Sequence, residues 1–568
     1  MKNTYLFFVL SSISLALNSQ NEIPDSLFGS NSNLVVDVSS EGSEYGGTFL
    51  TQADGKILYG GTDSDNFGQN DYHINMIRFD ACGTLDSSFG LNGKVRYKFD
   101  QRNLGNAFAL QSDGKIVCAG IQGNSNSSSE QRACISRFKS DGTPDSSFNL
   151  TGTHPIMISS GNFGSVHVME DGRILGFGYF GGGLGACAVR FKPDGSLDST
   201  FDVDGIAHYN PIGGFFDSAT GHMLPNGKII VTAWSSVTDW RFTAMQLDST
   251  GTLDSLYGNN GFYFDEVLPS TPFSVVVSSV VDANGNLFLS GSLDNTNVYV
   301  LKLTPLGVVD STFGVNGIFN YTFNGRVKGM KLMENGNILL PGSNYNSMYG
   351  IGCALMILPN GTIDNTFGVN GLRNFNFNND SGGHWLDNLM QLSNGDWIVA
   401  SSSNGFLFRK YTETSNVPYI YENNGVLSTI YAASYQWYLN NEPIQNATES
   451  TYTAQQNGAY TVMTSNNDGC SRLSGAYNMV SLGIEKEITS GISIYPNPSN
   501  GLFTLNGNAA NSKLQHVKVL NLMGSEIFSS NTTQSNMVVD IQHVPSGVYF
   551  IELHFNSGKE VFKVVKHD

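Results

Sequence analysis

The chain has 568 residues, with 64 glycines, 16 prolines, 14% charged side chains, and 48 acidic against 30 basic residues for a formal charge of -18. That length excludes a single small module, and the turn-rich composition favours short strands over long helices. The acidity would repel phosphate backbones and anionic lipid over most of the surface, so neither nucleic acid nor a membrane surface is an expected partner.

At the N-terminus Lys2 precedes an apolar run over residues 5–17, followed by small and polar residues. This is the pattern of a secretory signal over residues 1–19, with cleavage after Ala16 or after Ser19 both acceptable. The run is too short to cross a bilayer as a helix and no later segment is long and apolar enough, so no membrane span is expected.

From residue 25 the chain repeats itself. Asp-(Ser/Asn)-x-(Phe/Tyr) recurs at Asp25, Asp86, Asp145, Asp198, Asp254, Asp310 and Asp364, at intervals of 61, 59, 53, 56, 56 and 54 residues. Between these copies lies (Asp/Asn)-Gly, with its glycine at Gly55, Gly114, Gly172, Gly227, Gly285, Gly336 and Gly395. A third marker, as in Arg137-Phe138-Lys139-Ser140-Asp141-Gly142, closes each unit except the last.

Within a unit, segments rich in Val, Ile, Phe and Tyr run four to eight residues, as strands do. In the second unit residues 94–99 form strand A, 107–111 strand B, 115–119 strand C and 133–139 strand D. Asp113-Gly114 separates B from C so tightly that a hairpin with a positive-φ glycine is expected. Four antiparallel strands repeated seven times predict an all-β fold, a seven-bladed β-propeller over residues 25–411. Strand A either belongs to its own blade or completes the previous one, the latter giving a clasp between first and last blades.

These markers resemble the delta-60 repeats of bacterial propeller-like domains, a family that implies a fold and no dependable activity. From the residues themselves, the repeated Asp is expected to accept backbone N–H groups in the turn after strand D, and the aromatic to plug the gap between blades. Asp202 and Asp204 occupy turn positions held by Gly90 and Asn92 in a sister repeat, so turn chemistry explains them before calcium does, and no metal or cofactor is expected.

In an antiparallel meander the B-to-C turns and D-to-A links share one face, and the A-to-B and C-to-D loops emerge on the other. The second set varies most, as residues 120–132 against 401–405 illustrate, and variable loops on a rigid scaffold are where binding resides. Candidate ligand residues on that face are Trp234 and Trp240 around one C-to-D loop, His384 and Trp385 in an A-to-B loop, and Tyr179 beside Phe180 in a glycine-rich loop. Such rings stack on sugars or grip a peptide. No catalytic residue is assigned, because H-E-x-x-H, G-x-S-x-G and phosphate-loop motifs are all missing from the sequence. An enzyme would need off-pattern residues such as His154, Asp239 or His384 to converge near the central channel.

The six cysteines, Cys82, Cys118, Cys134, Cys187, Cys353 and Cys470, show no disulfide framework. Cys134, Cys187 and Cys353 each precede a turn glycine by eight residues and read as small core residues, while an oxidising destination would allow a Cys118–Cys134 bridge between neighbouring strands.

Two modules follow. Residues 412–484, with Tyr435-Gln436-Trp437-Tyr438, Gly458-Ala459-Tyr460 and a single cysteine, Cys470, resemble a bacterial immunoglobulin-like domain whose stability comes from packing alone. Residues 486–568 carry Tyr495-Pro496-Asn497-Pro498 followed by Gly501, then a stretch over 517–524, and Gly547-Val548-Tyr549-Phe550. They resemble a type A sorting domain of the type IX secretion system, and Tyr495, Pro496, Asn497, Pro498, Gly501, Gly547 and Tyr549 would be its sorting-signal residues. The resemblance implies a Bacteroidota-type source, the secretion machinery as partner, and a final location that is secreted or at the outer cell surface. The expected function is non-enzymatic binding of an extracellular glycan or protein. A carbohydrate-active enzyme, glycosidase or polysaccharide lyase, and a structural surface component without a defined ligand are the alternatives.

Overall fold

The computed structural model describes residues 23–567 except 26–27, 30–32, 39–42, 66–70, 124–129, 159, 237–239, 266–274, 294–296, 323, 345–350, 376–384, 403–404, 413–417, 424, 466–468, 481–490, 508–512, 523, 535 and 557. The signal segment, Asp239 and His384 therefore lie outside the described residues. Among the described residues there is no α-helix, and contacts divide the chain into two compact units. The first comprises residues up to 418 with 430–435 and 463–474, and the second comprises 419–429, 436–462 and 475–568.

The first unit is a seven-bladed β-propeller built from seven antiparallel sheets. Blade 1 covers residues 43–97, blade 2 102–155, blade 3 161–209, blade 4 215–264, blade 5 275–322 and blade 6 325–375. Blade 7 combines Trp385–Gln391, Trp397–Ser402 and Phe406–Thr412 with the N-terminal strands Ile23–Pro24 and Asn33–Val36. Strand A thus completes the preceding blade throughout, and its first copy closes the ring by pairing with Phe406–Thr412.

Closure is also visible in the core. Seven apolar clusters fill the seven interfaces between neighbouring blades, including the one that joins blade 7 (Ile398, Phe406, Phe408) to blade 1 (Phe49, Tyr59, Phe79). Each cluster receives one aromatic of the Asp-x-x-Phe/Tyr repeat: Phe28, Phe89, Phe148, Phe201, Tyr257, Phe313 and Phe367. These rings are the plugs anticipated from sequence. Burying two sheet faces per interface lets one domain grow past the usual single-core limit.

The repeated aspartate does more than cap a turn. Asp145 Oδ1 accepts the Ser147 amide at 3.1 Å while its Oδ2 accepts Arg137 Nε at 2.8 Å. Arg137 in turn donates to Pro193 O of blade 3 at 2.6 Å and lies 4.7 Å from the Phe148 ring centroid. Arg78–Asp86–Phe89 and Arg190–Asp198–Phe201 repeat the arrangement. Backbone bonds run alongside: Gly90 N–H to Asp141 O at 2.8 Å, Asn149 N–H to Asp194 O at 2.7 Å and Gly314 N–H to Asn360 O at 2.8 Å. Asp204 likewise accepts the Ile206 amide at 2.9 Å, the turn role expected of it. The B-to-C glycines all sit at φ between 81° and 88°, the region a side chain rarely enters.

The cysteine reading needs correcting. Cys82 and Cys470 form a disulfide across 388 residues of sequence. Cys118 and Cys134 are free, because the register sets Cys118 opposite Ser136 and Cys134 opposite Gly120. Cys134, Cys187 and Cys353 are buried in the core as expected, and burial pushes the Cys134 and Cys353 thiols up to about 12. Periodicity could not reveal the bridge, since Cys470 lies far outside the repeats.

In the second unit Trp437 is fully buried, its indole donating to Glu449 O at 2.9 Å and its ring 6.1 Å from Tyr452. Tyr460 packs on Tyr452 and donates to Gln456 O at 2.7 Å, the expected sandwich logic. The C-terminal β-sandwich pairs a sheet of Ser493–Tyr495, Leu502–Asn506 and Met537–Asp540 with one ordered Glu526–Asn531, Leu514–Leu520, Gly547–Phe555 and Gly558–Lys566. Phe503, Val517, Val519, Ile551, Leu553 and Val564 alternate into its core.

Candidate functional site

The inner strand of each blade begins at the variable face, and blades 2, 3 and 4 open a cavity of about 520 Å³ there. This is within the range of small-ligand sites. One wall is the hairpin after Ile174–Phe180, where Tyr179 and Phe180 lead into Gly181-Gly182-Gly183. A second stretch of the lining is Gly213-Gly214 leading into Phe215 and Phe216. Gly182, Gly183 and Gly213 have φ of 67°, 83° and 64°, with open space where a Cβ would stand. Glycine here both permits the backbone and leaves the wall bare, exposing peptide groups to a ligand.

Asn210 braces the two glycine loops, its Nδ2 donating to Gly183 O at 2.7 Å and Gly214 O at 3.1 Å. Its Oδ1 is buried without a partner among the described groups. Phe216 is buried against blade 3, whereas its neighbour Phe215 is 80% exposed. Phe215 belongs to the cavity lining and to none of the apolar clusters formed by the described residues. Among the described lining residues there is no Asp, Glu, His, Lys or Arg.

Of the sequence candidates, Tyr179 lies in this cavity. Trp234 is only 8% exposed and packs edge-on against Phe242 at 5.6 Å between blades 4 and 5. It is a wedge, and the expectation of an exposed ring there is corrected. The backbones of Trp240 and Trp385 open Trp240–Leu247 and Trp385–Gln391, and their side chains lie outside the described residues, as does His384. His154 is on the outermost strand of blade 2, bonded through Nδ1 to Gly195 O at 2.7 Å, away from the channel. Sequence reading missed Phe215, although Gly213-Gly214 before two phenylalanines was a usable signal.

Two polar clusters elsewhere are structural. Asp65, Asp71 and His73 come close enough to share a cation, but Arg96 already bonds Asp63 at 2.7 Å and His73 Nδ1 at 2.9 Å, and Lys98 pairs with Asp71 at 2.7 Å. Between blades 4 and 5 the enclosed His222 holds Ser279 Oγ at 2.7 Å, and Thr220 and Thr232 complete the cluster. Burial, with His167 nearby, lowers the His222 pKa to about 4. A histidine depressed in the fold binds its proton first in the unfolded chain, so stability is full above about pH 6.5 and declines as pH falls towards 4. Wild type is expected to lose about 3 kcal/mol more than His222→Gln over that window, read from urea midpoints at pH 7 and pH 4. Asp198 and Asp310, held down to about 2 chiefly by hydroxyl, amide and basic partners against the opposing cost of burial, lose their contributions only below about pH 4.

Fold and tail together define a class, an exported β-propeller with a C-terminal sorting module. Family models agree: the beta-propeller domain of unknown function DUF5122 matches residues 52–89, 111–148, 170–201 and 224–256, and the secretion system C-terminal sorting domain matches 493–567. The chain carries DUF5122 propeller repeats and a type IX sorting domain, and is exported through that system to the cell surface or beyond. No curated protein matches it. Among solved structures it is similar to a protein of unknown function from Bacteroides caccae, at 16% identity over 50% of this chain and 81% of that chain, TM-score 0.31. It is also similar to polysaccharide lyase Uly1 (11%, 65% and 90%, TM-score 0.39) and to the α-L-arabinofuranosidase Arb93A from Fusarium graminearum (10%, 57% and 97%, TM-score 0.34). Likenesses this distant carry no argument about ligand or activity.

Proposed function

We propose that the propeller is a non-enzymatic binding module that captures an extracellular glycan or protein at the cavity between blades 2, 3 and 4. The observation that carries this reading is the bare Phe215 ring in one lining with Tyr179 and two glycine loops, with no acid or base among the described lining residues. Aromatic platforms and uncovered peptide groups suit recognition, whereas bond cleavage needs a proton donor and acceptor in reach. Saturable binding without turnover is expected from the secreted protein against a panel of extracellular polysaccharides and proteins. Phe215→Ala should weaken it about 3- to 10-fold, as measured by titration calorimetry. Hydrolysis or elimination of any polysaccharide would overturn the reading.

In the sorting domain the proposed signal residues divide by burial. Tyr495, Pro496, Asn497 and Pro498 form an exposed ridge, while Tyr549 is buried and donates to Pro545 O at 2.6 Å. A Cβ on Gly501 would meet Gln542 Cα at 2.8 Å, and Gly547 leads into the strand that carries Tyr549, which supports the proposal that the two glycines and Tyr549 shape the module while the machinery reads the ridge. Tyr495→Ala is expected to lower the exported fraction in cell fractionation with the thermal midpoint unchanged.

A further inference from the structure

A second cavity, of about 310 Å³, adjoins the first on the same face between blades 1 and 2. Tyr45 and Tyr72 line it with their rings 5.9 Å apart, and Arg102 holds Tyr72 from 4.6 Å. Tyr45 is 47% exposed although it lies on an inner strand. The two cavities meet at a hydrogen bond: Asn106, in the lining of the second, donates through Nδ2 to Asn162 Oδ1, in the lining of the first, at 2.6 Å.

Among the described lining residues of both cavities none is charged, and the charges nearest the smaller one, Arg102 behind Tyr72 and Asp387 behind Gly46, stand outside its lining. Around the larger one, residues 160–164, 179–188 and 209–216 contain no Asp, Glu, Lys or Arg, and Glu130 and Arg132, which flank the lining Gln131, are themselves outside the lining. By contrast, the cavity of about 400 Å³ on the opposite face is lined by Asp113, Lys115, Arg137 and Glu170. A site for uronate or sulfate groups needs cationic donors to replace their hydration, and an overall charge of -18 adds repulsion. Aromatic rings, side-chain amides and open glycine backbone instead match sugar faces and hydroxyl groups.

We infer that the two cavities are adjacent subsites for one uncharged polysaccharide chain, its sugar rings stacked at Phe215 and Tyr179 in one and at Tyr45 in the other. This rests on the reading of the variable face as the ligand site. The test titrates the full secreted protein with neutral β-1,4-linked glucose, xylose and mannose oligomers of two to eight units, and with oligogalacturonates of equal length. One neutral series should bind with affinity that rises with length until both cavities are filled and is unchanged between low and high salt. Phe215→Ala should weaken short and long oligomers alike, about 3- to 10-fold, and Tyr45→Ala the long ones only. Salt-sensitive oligogalacturonate binding lost in Phe215→Ala would sink the neutral-ligand inference while leaving the site standing. Affinity independent of length, or indifferent to Tyr45→Ala, would remove the second subsite. If no oligomer of either kind binds, or binding ignores Phe215→Ala, the ligand site itself is misplaced.

Discussion

Serine at both Cys82 and Cys470 is expected to cost the propeller about 2–5 kcal/mol, seen as a lower urea midpoint than wild type and matched by wild type under reductant. The bridge spans 388 residues, so the unfolded chain it constrains is long. Its position matters as much as its span. Cys82 sits in the D-to-A link of blade 1 and accepts Gly29 N–H through its carbonyl at 3.2 Å, across the seam where the ring closes. Two residues beyond Cys470, Arg472 pairs with Asp25, which also pairs with Lys410 at 3.7 Å. Asp25 is the first copy of the repeated motif, separated in sequence from the blade it completes. Without the disulfide that seam keeps its strand pairing and ion pairs but loses its covalent tie. An identical midpoint for the oxidised protein and the double serine variant would show that the bridge contributes nothing to the fold.

Asp145→Ala should cost a similar amount, about 3–5 kcal/mol, because it leaves Arg137 enclosed without its carboxylate. The two side chains are 4% and 6% exposed at 2.8 Å, so water cannot replace the lost partner. Removing both charges should cost much less, since the desolvation of the pair disappears with it. Blade 6 already supplies the precedent: Met356 stands where Arg137 and Arg190 stand, and its Asp364 is served by Asn337 Nδ2 at 3.1 Å. Arg137→Met combined with Asp145→Asn is therefore expected to recover most of the loss in chemical denaturation, and a double variant as unstable as Asp145→Ala would refute the ion-pair account.

How legible the protein was varies with the range of the interaction. Blade count, strand identity and the export address depend on local patterns: apolar alternation, tight (Asp/Asn)-Gly turns, and a motif spaced by about one blade. The aromatic plug could be named because every copy repeats it. Its basic partner was visible in Arg137-Phe138 and Arg190-Phe191, eight residues before each aspartate, but only the folded blade turns that spacing into an ion pair. Trp234 misled because its neighbours in sequence belong to a variable loop, while its own register opposite Phe242 turns it into the core.

The amino-acid order alone determined a seven-fold β architecture, a sandwich tail and a route out of the cell, since each is encoded in short periods that any one unit displays. The tertiary structure decided which loops meet. The Cys82–Cys470 bridge, the joining of Asp25 to Lys410 and Arg472, and the uncharged cavity shared by Tyr179, Phe215 and the glycine walls all bring together residues from different units or from outside the repeats. Ring closure is the physical reason. It sets the ends of distant strands side by side, and no local pattern records which of the intervening loops will face one another.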